Sequence, residues 1–251
     1  IQKNIDIVCC AVPDEFHYSV LKEISTFSVL KAVICEKPIA KKVIQAKELV
    51  DLYSKKDIPL FVNYTRRFMP EFMELKKWVE QSGRLIVGNC FYGKGVCHNC
   101  SHMLNILELF WKDIKVLSVN NFLYDYFEDD PSVSFVLEAG SGKIYFYPID
   151  CKIATVFEFD LFFEGGRVKY SDAEGIIEYY KIQESAVYTN ELNYTLEKRI
   201  KLERTEAMLN LYKNVYNVLN LKKEVISTGM DAYRTICLCE SISDKISGEQ
   251  K

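Results

Sequence analysis

The sequence predicts an α/β protein in which the second half of a doubly wound parallel sheet precedes an α+β domain with a large open mixed or antiparallel sheet. Two observations predict this class. Up to residue 63, short apolar runs alternate with amphipathic helical patterns. From residue 116 to residue 182, strand patterns follow one another without an intervening helix, which is typical of an antiparallel or mixed sheet.

The N-terminal elements alternate between strand and helix. Ile5–Val12 is an apolar run suited to a buried parallel strand. Pro13 and Asp14 then supply a turn and a capping residue for a helix through Ile24. The strand signal returns at residues 30–35 and 59–62, and the helix between them has one apolar face: Ala46, Leu49, Val50 and Tyr53. The order is βαβαβ, as in the second half of a doubly wound sheet.

The pattern changes after Asn63. Pro70 begins a helix, residues 84–92 form a strand pattern, and a further helix is expected at about 101–111. Strand patterns then follow at 116–124, 133–138, 143–147, 156–164, 167–170 and 176–182. Two helices are expected to close the chain, the second from about Asp231 to Ile246. The first has these apolar residues on one face: Met208, Leu209, Tyr212, Val215, Tyr216 and Leu219.

Charge and composition exclude some classes of partner. A net charge of -3 gives no broad basic surface, so we expect no nucleic-acid partner. We see no apolar stretch long enough to span a membrane and no secretory leader, and we expect a cytoplasmic protein. Nine cysteines, an odd number, favour reduced core residues over a disulfide framework. The acidic run at residues 128–130 is expected to be a solvated loop.

Four segments occur in a set order along the chain: Asp6–His17, Glu36-Lys37-Pro38, Asn63–Phe68 and Lys94–His102. Together they resemble the Gfo/Idh/MocA family of NAD(P)-dependent oxidoreductases, which act mainly on sugars, nucleotide-linked sugars and inositols. The resemblance implies that residues 1–63 are the C-terminal half of a Rossmann-type dinucleotide-binding domain. It further implies an α+β substrate and oligomerisation domain at 64–227, and a C-terminal helix at 228–251 that packs back on the nucleotide domain.

A glycine-rich nucleotide motif does not occur in the sequence. The first glycine is Gly83, whereas a dinucleotide-binding domain normally begins with a strand, a G-x-G-x-x-G turn and a helix. We therefore expect that the first βαβ unit belongs to an N-terminal part missing from this sequence. The residue that distinguishes NAD from NADP would lie in that unit, so both cofactors stay open.

The resemblance assigns roles to particular residues. It implies that Lys37 and His102 are catalytic and lie in the interdomain cleft, and we add His98 because it precedes His102 by one helical turn. The cofactor would contact Ala11, Val12, Pro13, His17, Glu36 and Lys37. The substrate would contact Arg67, Tyr92, Asn99 and Asn105.

Departures from the family pattern leave alternatives open. The family usually has Asp-x-Gly-x-His-x-x-Asp where this chain has His98, Cys100, His102 and Asn105, so both acids are replaced. The main hypothesis is a sugar or nucleotide-sugar oxidoreductase that forms a homodimer or homotetramer through its C-terminal sheet. A non-catalytic relative that acts through this sheet is the alternative, and a lyase or glycosidase with bound NAD is a third. Cys97 and Cys100, together with His98 and His102, also suggest a zinc site, but no second ligand pair has suitable spacing, so no metal is expected.

Overall fold

The computed structural model describes residues 5–249, without the side chains of residues 121, 122 and 247–249. The described chain divides into two compact units. The first comprises the residues through Phe72 together with Glu203–Glu240, and the second comprises Met73–Leu202 and the residues from Ser241. The domain boundaries expected from the sequence, at 63/64 and 227/228, stay a prediction.

The described chain contains seventeen α-helices and β-strands, besides short 3₁₀ and π-helical turns and the loops that connect them. They are β1 (Ile7–Cys10), α1 (His17–Ile24), β2 (Ala32–Glu36), α2 (Val43–Lys55), β3 (Leu60–Asn63), α3 (Pro70–Gln81), β4 (Leu85–Tyr92), α4 (Ser101–Phe110), β5 (Ile114–Leu123), β6 (Ser132–Ala139), β7 (Gly142–Pro148), β8 (Phe157–Phe163), β9 (Gly166–Ser171), β10 (Ile176–Glu184), β11 (Leu192–Lys201), α5 (Ala207–Leu221) and α6 (Gly229–Glu249). Among the described residues, no helix is both long and apolar enough to cross a membrane.

The first unit confirms the βαβαβ prediction. β1, β2 and β3 form a parallel sheet in that order, with α1 and α2 as the connections. β2 is the middle strand, and its apolar residues are all buried, as expected for a strand covered on both faces. The predicted apolar face of α2 is also confirmed, because these residues are buried in the core with β2: Ala46, Leu49, Val50 and Tyr53.

α5 buries a different face from the apolar one seen in the sequence. Leu211 and Val215 pack against Ala32, Ile34 and Phe61 of the parallel sheet. Of the six residues named for this helix, four are instead exposed: Met208, Leu209, Tyr212 and Tyr216. Two apolar stripes lie side by side on α5, and helical periodicity alone does not say which of them the sheet covers.

The second unit contains one eight-stranded sheet, in the order β11-β10-β9-β8-β4-β7-β6-β5. Every neighbouring pair is antiparallel except β4 and β7, which are parallel. The sheet is therefore mixed, as the succession of strands predicts.

One face of this sheet forms the core of the second unit. Alternation along β8 buries four apolar side chains: Phe157, Phe159, Leu161 and Phe163. Trp78 of α3 packs edge-on against Phe163, with ring centroids 5.5 Å apart. On the opposite face, β8 presents Glu158, Asp160 and Phe162, which are only half-buried. The period-two pattern of the sequence thus correctly separates the two faces.

The sequence analysis did not predict β11. This strand lies at the edge of the sheet, and nearly all of its residues are exposed. Its sequence nevertheless alternates, with polar residues between Leu192, Tyr194, Leu196 and Ile200, so a period-two signal was available and was missed.

Tyr92 provides a test of packing in the second unit. Its side chain is fully buried, and its hydroxyl donates to the carbonyl of Val133 (2.6 Å) and accepts from the amide of Val133 (2.8 Å). Tyr92→Phe would leave both backbone groups without this partner, so we expect a loss of about 1–3 kcal/mol in the free energy of unfolding. Urea unfolding followed by tryptophan fluorescence measures this unit, since Trp78 and Trp111 both belong to it.

Tyr147→Phe is the matched control, because Tyr147 is 41% exposed on the same sheet. We expect its effect to stay within about 0.5 kcal/mol. Equal unfolding midpoints for the two variants would contradict the role assigned to the Tyr92 hydroxyl.

Candidate functional site

The carboxyl end of β2 carries a cluster of polar side chains. β2 ends at Glu36, and Lys37 and Pro38 follow it, all three half-buried. In the parallel register Glu36 lies opposite Asn63, the last residue of β3. The amide nitrogen of Asn63 donates to Oε1 of Glu36 at 2.7 Å. The ends of two parallel strands therefore place a carboxylate, a carboxamide and an ammonium group at one edge, where open α/β sheets bind ligands.

Asn63 is a site residue that the sequence analysis missed. It is 4% exposed, and its Nδ2 also contacts Sδ of Met208 at 3.4 Å. Its Oδ1 has no hydrogen-bond partner among residues 5–249. A buried carboxamide oxygen without a donor is an acceptor that a ligand hydroxyl can satisfy. The available signal was its position directly after a buried strand parallel to the one that ends at Glu36.

His17 connects the ends of β1 and β2. Its ring is 1% exposed, with Nδ1 2.6 Å from the carbonyl oxygen of Pro38 and Nε2 2.9 Å from that of Val12. The first contact lies in the segment after β2 and the second in the segment after β1. His17 therefore lies beneath the two segments and holds their backbones together. Its predicted contact with a cofactor stays a prediction.

The segment after β1 is open to solvent. Ala11, Val12 and Pro13 are all exposed, and only Cys10 is buried in the strand before them, which corrects the expectation that Ile5–Val12 is a buried strand. Their exposed backbone and the Glu36 carboxylate offer hydrogen-bond acceptors at one edge, which suits the hydroxyl groups of a nucleotide ribose. These residues fit an NAD-type cofactor, and the unsatisfied Oδ1 of Asn63 agrees with that fit.

A second cluster lies directly behind this edge. The ligand-type atoms of Cys10, His17 and Cys35 lie within 4.8 Å of one another, and all three residues are buried. Neither the spacing nor the composition of the sequence pairs Cys10 with Cys35. Their closeness follows only from the strand register, in which the two residues are partners.

The predicted histidine segment begins as a six-residue π-helix, Gly95–Cys100, that runs into α4. Lys94, just before it, has φ of 64°, and Gly95 has φ of 83°. A Cβ on Gly95 would lie 2.2 Å from Oδ2 of Asp130, so this position needs glycine. The tight start of the segment brings its first amide groups against a buried carboxylate.

Asp130 corrects the expectation that residues 128–130 form a solvated loop. It is 7% exposed, and its carboxylate accepts hydrogen bonds from the backbone amides of Cys97 (2.9 Å) and His98 (2.8 Å). A carboxylate suits this place because the first amides of a helix lack partners within the helix and carry partial positive charge. An acidic run in sequence looks solvated, and only tertiary structure reveals that one of its members is a cap.

Asp125 supports the same segment from the neighbouring loop. It accepts from the amide of Lys94 at 2.7 Å and from the hydroxyl of Ser132 at 2.9 Å, and Ser132 accepts from the amide of Gly95. Burial raises the pKa of Asp125, but the hydrogen bonds from Lys94, Ser132 and Cys151 outweigh burial and hold this pKa below its usual value. Asp125 therefore stays ionised as an anchor for the start of the π-helix.

The two candidate histidines have different surroundings. Nδ1 of His98 lies 3.1 Å from Oδ2 of Asp130, and its ring stacks on Phe127 with centroids 3.7 Å apart. His102 is half-buried in the first turn of α4, one helical turn further along. A carboxylate beside an imidazole orients the ring. His98 and Asp130 thus form an ordered pair, while the catalytic roles of His98 and His102 stay predictions.

The predicted substrate contacts make polar interactions inside their own units. Arg67 is 2% exposed and forms an ion pair with Asp231 at 3.2 Å. Nδ2 of Asn99 donates to the carbonyl of Gly93 at 2.8 Å. Asn105 is 1% exposed within α4, and the Tyr92 hydroxyl is bound to the backbone of β6. These contacts favour structural roles, and contact of these four residues with a substrate stays a prediction.

Comparisons by sequence match only part of the chain. Residues 1–64 match the model of an oxidoreductase family with an NAD-binding Rossmann fold, GFO_IDH_MocA. An uncharacterized oxidoreductase of Schizosaccharomyces pombe is 38% identical over 82 residues, covering 33% of this chain and 21% of that protein. Inositol 2-dehydrogenase of Corynebacterium glutamicum is 35% identical over 86 residues, covering 33% of this chain and 25% of that protein. The similarity thus spans a quarter or less of these curated relatives.

Solved structures resemble almost the whole chain. An oxidoreductase from Agrobacterium radiobacter, in complex with NAD+, L-tartaric acid and magnesium, has a TM-score of 0.75 at 17% identity, covering 98% of this chain and 79% of that one. UDP-N-acetylglucosamine 3-dehydrogenase from Acidithiobacillus ferrooxidans has a TM-score of 0.75 at 11% identity, covering 98% and 80%. At these identities the likeness establishes the fold alone. The similarity in sequence is therefore confined to the N-terminal part, where residues 1–64 match the NAD-binding model of the Gfo/Idh/MocA oxidoreductases.

Proposed function

We propose that this protein is an NAD(P)-dependent oxidoreductase that transfers a hydride to or from a CH–OH carbon of a sugar or nucleotide-linked sugar. The observation that carries the proposal is the position of Glu36, Lys37 and Pro38. They lie at the carboxyl end of the middle strand of a parallel sheet, in the part of the chain that matches an NAD-binding family. The similarity to inositol 2-dehydrogenase supports a polyhydroxylated substrate.

Glu36 and Asn63 form the part of the edge that we assign to a ribose of the cofactor. The hydrogen bond from Asn63 fixes Oε1 of Glu36, which orients the carboxylate. A carboxylate accepts hydrogen bonds from two hydroxyl groups well, and Oδ1 of Asn63 adds one more buried acceptor. In this proposal the exposed backbone of Ala11–Pro13 borders the bound cofactor on the side of β1.

Lys37 and His102 carry the proton and charge chemistry in this proposal. Bound NAD(P) supplies the hydride acceptor for oxidation and the hydride donor for reduction. During oxidation His102 takes the hydroxyl proton of the substrate as a general base. The Lys37 ammonium stabilises the negative charge that grows on the substrate oxygen. During reduction His102 returns the proton to the same oxygen.

We also propose that the open face of the eight-stranded sheet joins copies of this chain in a homodimer or homotetramer. That face carries two aromatic pairs: Phe91 stacks on Tyr147 with centroids 5.6 Å apart, and Phe162 meets Tyr194 edge to face with centroids 5.5 Å apart. Tyr147 and Tyr194 are 41% and 38% exposed. Partly exposed aromatic side chains favour association over a fully solvated face. The same face supports the second candidate function, a non-catalytic protein that acts by binding a partner.

The first prediction concerns cofactor affinity. Titration of the purified protein with NADH and NADPH, followed by nicotinamide fluorescence, is expected to show binding of at least one of them. Asn63→Ala removes the hydrogen bond to Glu36 and the buried acceptor, so we expect about tenfold weaker binding, or about 1.4 kcal/mol.

Asn220→Ala is the control, because Asn220 is exposed near the end of α5 and bonds only to the carbonyl of Tyr216 within the same helix. It should bind the nucleotide like the unmodified protein. If neither nucleotide binds to a full-length version that includes the expected N-terminal unit, the oxidoreductase proposal fails and the non-catalytic candidate takes its place.

A second prediction concerns turnover. Lys37→Ala and His102→Ala should each lower kcat by about 100-fold or more with the nucleotide affinity changed much less, since general acid–base and charge stabilisation act on the reaction barrier. Stopped-flow or steady-state absorbance of NAD(P)H, with a panel of sugars, inositols and nucleotide-linked sugars, measures kcat and KM separately.

Lys31→Ala is the matched control for Lys37→Ala. Lys31 precedes the same strand at its opposite end, is 64% exposed, and pairs with Asp6 at 2.8 Å. We expect its kcat to match that of the unmodified protein. An unchanged kcat in His102→Ala together with a large loss in His98→Ala would move the acid–base role to the pair formed by His98 and Asp130.

A further inference from the structure

Two thiols and an imidazole meet where β1 and β2 end. Cys10 and Cys35 are partners in the parallel register, and their sulfur atoms and a His17 nitrogen lie within 4.8 Å of one another. Neighbouring strands are about 4.7–4.9 Å apart, which falls within the window of about 4.4–6.8 Å that disulfides span between Cα atoms. Paired residues also point to the same face of the sheet. The two sulfur atoms can therefore bond without a rearrangement of the strands.

His17 completes the cluster. Its two ring nitrogens lie near carbonyl oxygens, those of Pro38 and Val12, at 2.6 Å and 2.9 Å. The ring is 1% exposed, and one of its nitrogens lies within 4.8 Å of both sulfur atoms.

The two thiols of the cluster differ in acidity. The hydrogen bond from the Cys35 thiol lowers the pKa of Cys10 to about 6, against the opposing effect of burial and with further help from the charge of His17 and the amide of Val12. The same arrangement, with burial, raises the pKa of Cys35, so Cys35 stays a thiol. The geometry thus pairs one nucleophilic sulfur with a protonated sulfur as its neighbour.

The other titratable groups that face the cluster are Tyr53, on α2, and Glu36, at the end of β2. Burial, followed by the charges of Cys35 and Cys10, raises the pKa of Tyr53, and its hydroxyl donates to the carbonyl of Leu21 at 2.7 Å. Neither group supplies a positive charge. Cys35, His17 and Val12 are therefore the groups that stabilise the Cys10 thiolate.

We propose that Cys10 is a site of oxidation by small hydroperoxides and that Cys35 converts the product into a reversible disulfide between β1 and β2. The Cys10 thiolate attacks the O–O bond, which gives a sulfenic acid and, after protonation, an alcohol or water as the leaving group. The Cys35 thiol then attacks the sulfenic sulfur, the S–O bond breaks, and water leaves with the Cys35 proton. A thiol reductant restores both cysteines. Cys10 is 3% exposed, which favours hydrogen peroxide over larger reagents.

The disulfide acts on the two segments that follow β1 and β2 and that border the proposed cofactor site. Its formation removes the Cys10 thiolate from beside the His17 ring and draws Cys10 and Cys35 together. His17 holds both segments through Val12 and Pro38, so a change in the cluster shifts the backbone at these two residues. This consequence rests on the proposed function, and it predicts that the oxidised protein binds NAD(P)H about tenfold more weakly.

The test begins with intact mass and peptide mapping of the protein after treatment with hydrogen peroxide and alkylation of the remaining thiols. We expect a loss of two hydrogen atoms, a cross-link between the peptides of Cys10 and Cys35, and full reversal by dithiothreitol. A cross-link that excludes Cys10, or no cross-link at peroxide levels that oxidise the exposed Cys9 and Cys97, overturns the proposal.

Serine variants separate the two roles. In Cys35→Ser the reaction should stop at a sulfenic acid on Cys10, which dimedone traps, whereas Cys10→Ser should give neither product. Cys9→Ser is the matched control: Cys9 is the preceding residue of β1, is exposed, and lies opposite Ile34, so this variant should cross-link like the unmodified protein. Trapping of the sulfenic acid on Cys9 in place of Cys10 contradicts the assignment.

Two further readouts complete the test. The rate of alkylation of Cys10 by iodoacetamide should rise with pH to a midpoint near 6, and a midpoint at the ordinary thiol value of about 8.5 overturns the thiolate assignment. Zinc retained through dialysis by thiols that do not cross-link assigns Cys10, His17 and Cys35 to a metal site instead and also overturns it.

Nucleotide titration of the reduced and cross-linked forms separates this proposal from the proposed function. If the cross-link forms and neither form binds NAD(P)H, the proposed function fails and the disulfide stands. If both forms bind NAD(P)H with equal affinity, the proposed function stands, and the proposed effect of the disulfide on cofactor affinity fails.

Discussion

The polar edge at the carboxyl ends of β1 and β2 depends on one buried histidine that contacts two carbonyl oxygens. His17 joins the segment after β1 to the segment after β2 through Val12 and Pro38. Both segments are otherwise at the open ends of strands, where backbone groups lack partners from the sheet. Because the imidazole begins α1, the helix that connects the two strands also fixes the spacing of their ends.

In the second unit, buried carboxylates bind backbone groups, as His17 does in the first unit. Asp130 and Asp125 satisfy the amides at the start of the π-helical segment that leads to His102. The hydrogen bonds to Asp125 hold its pKa below the usual value, so this carboxylate stays ionised. In both candidate regions a buried polar side chain thus binds backbone groups close in sequence to a candidate reactive residue.

The sequence predicted the elements that bury an apolar face, and it missed what depends on register or tertiary contact. β2, β3, α2 and the alternation along β8 were correct because burial imposes an apolar run or a period on the sequence. β1 was found from its apolar run, although only Cys10 in it is buried. β11 was missed although its apolar residues alternate, and the buried stripe of α5 was only partly found because two apolar stripes adjoin. Asp130 as a cap, Asn63 beside Glu36, and Cys10 opposite Cys35 join residues far apart in sequence, so no local pattern signals them.

β4 occupies a special place in the order of the large sheet, because it lies between β7 and β8, both distant in sequence. On one side β5, β6 and β7 are joined as successive hairpins, and on the other side β8, β9, β10 and β11 are joined in the same way. During synthesis β4 emerges first, with neither neighbour available. Its pairing requires the closure of long loops, which slows folding compared with local hairpins. β4, the strand that leads to the histidine segment, therefore joins the meander β5–β7 and the meander β8–β11 into one sheet.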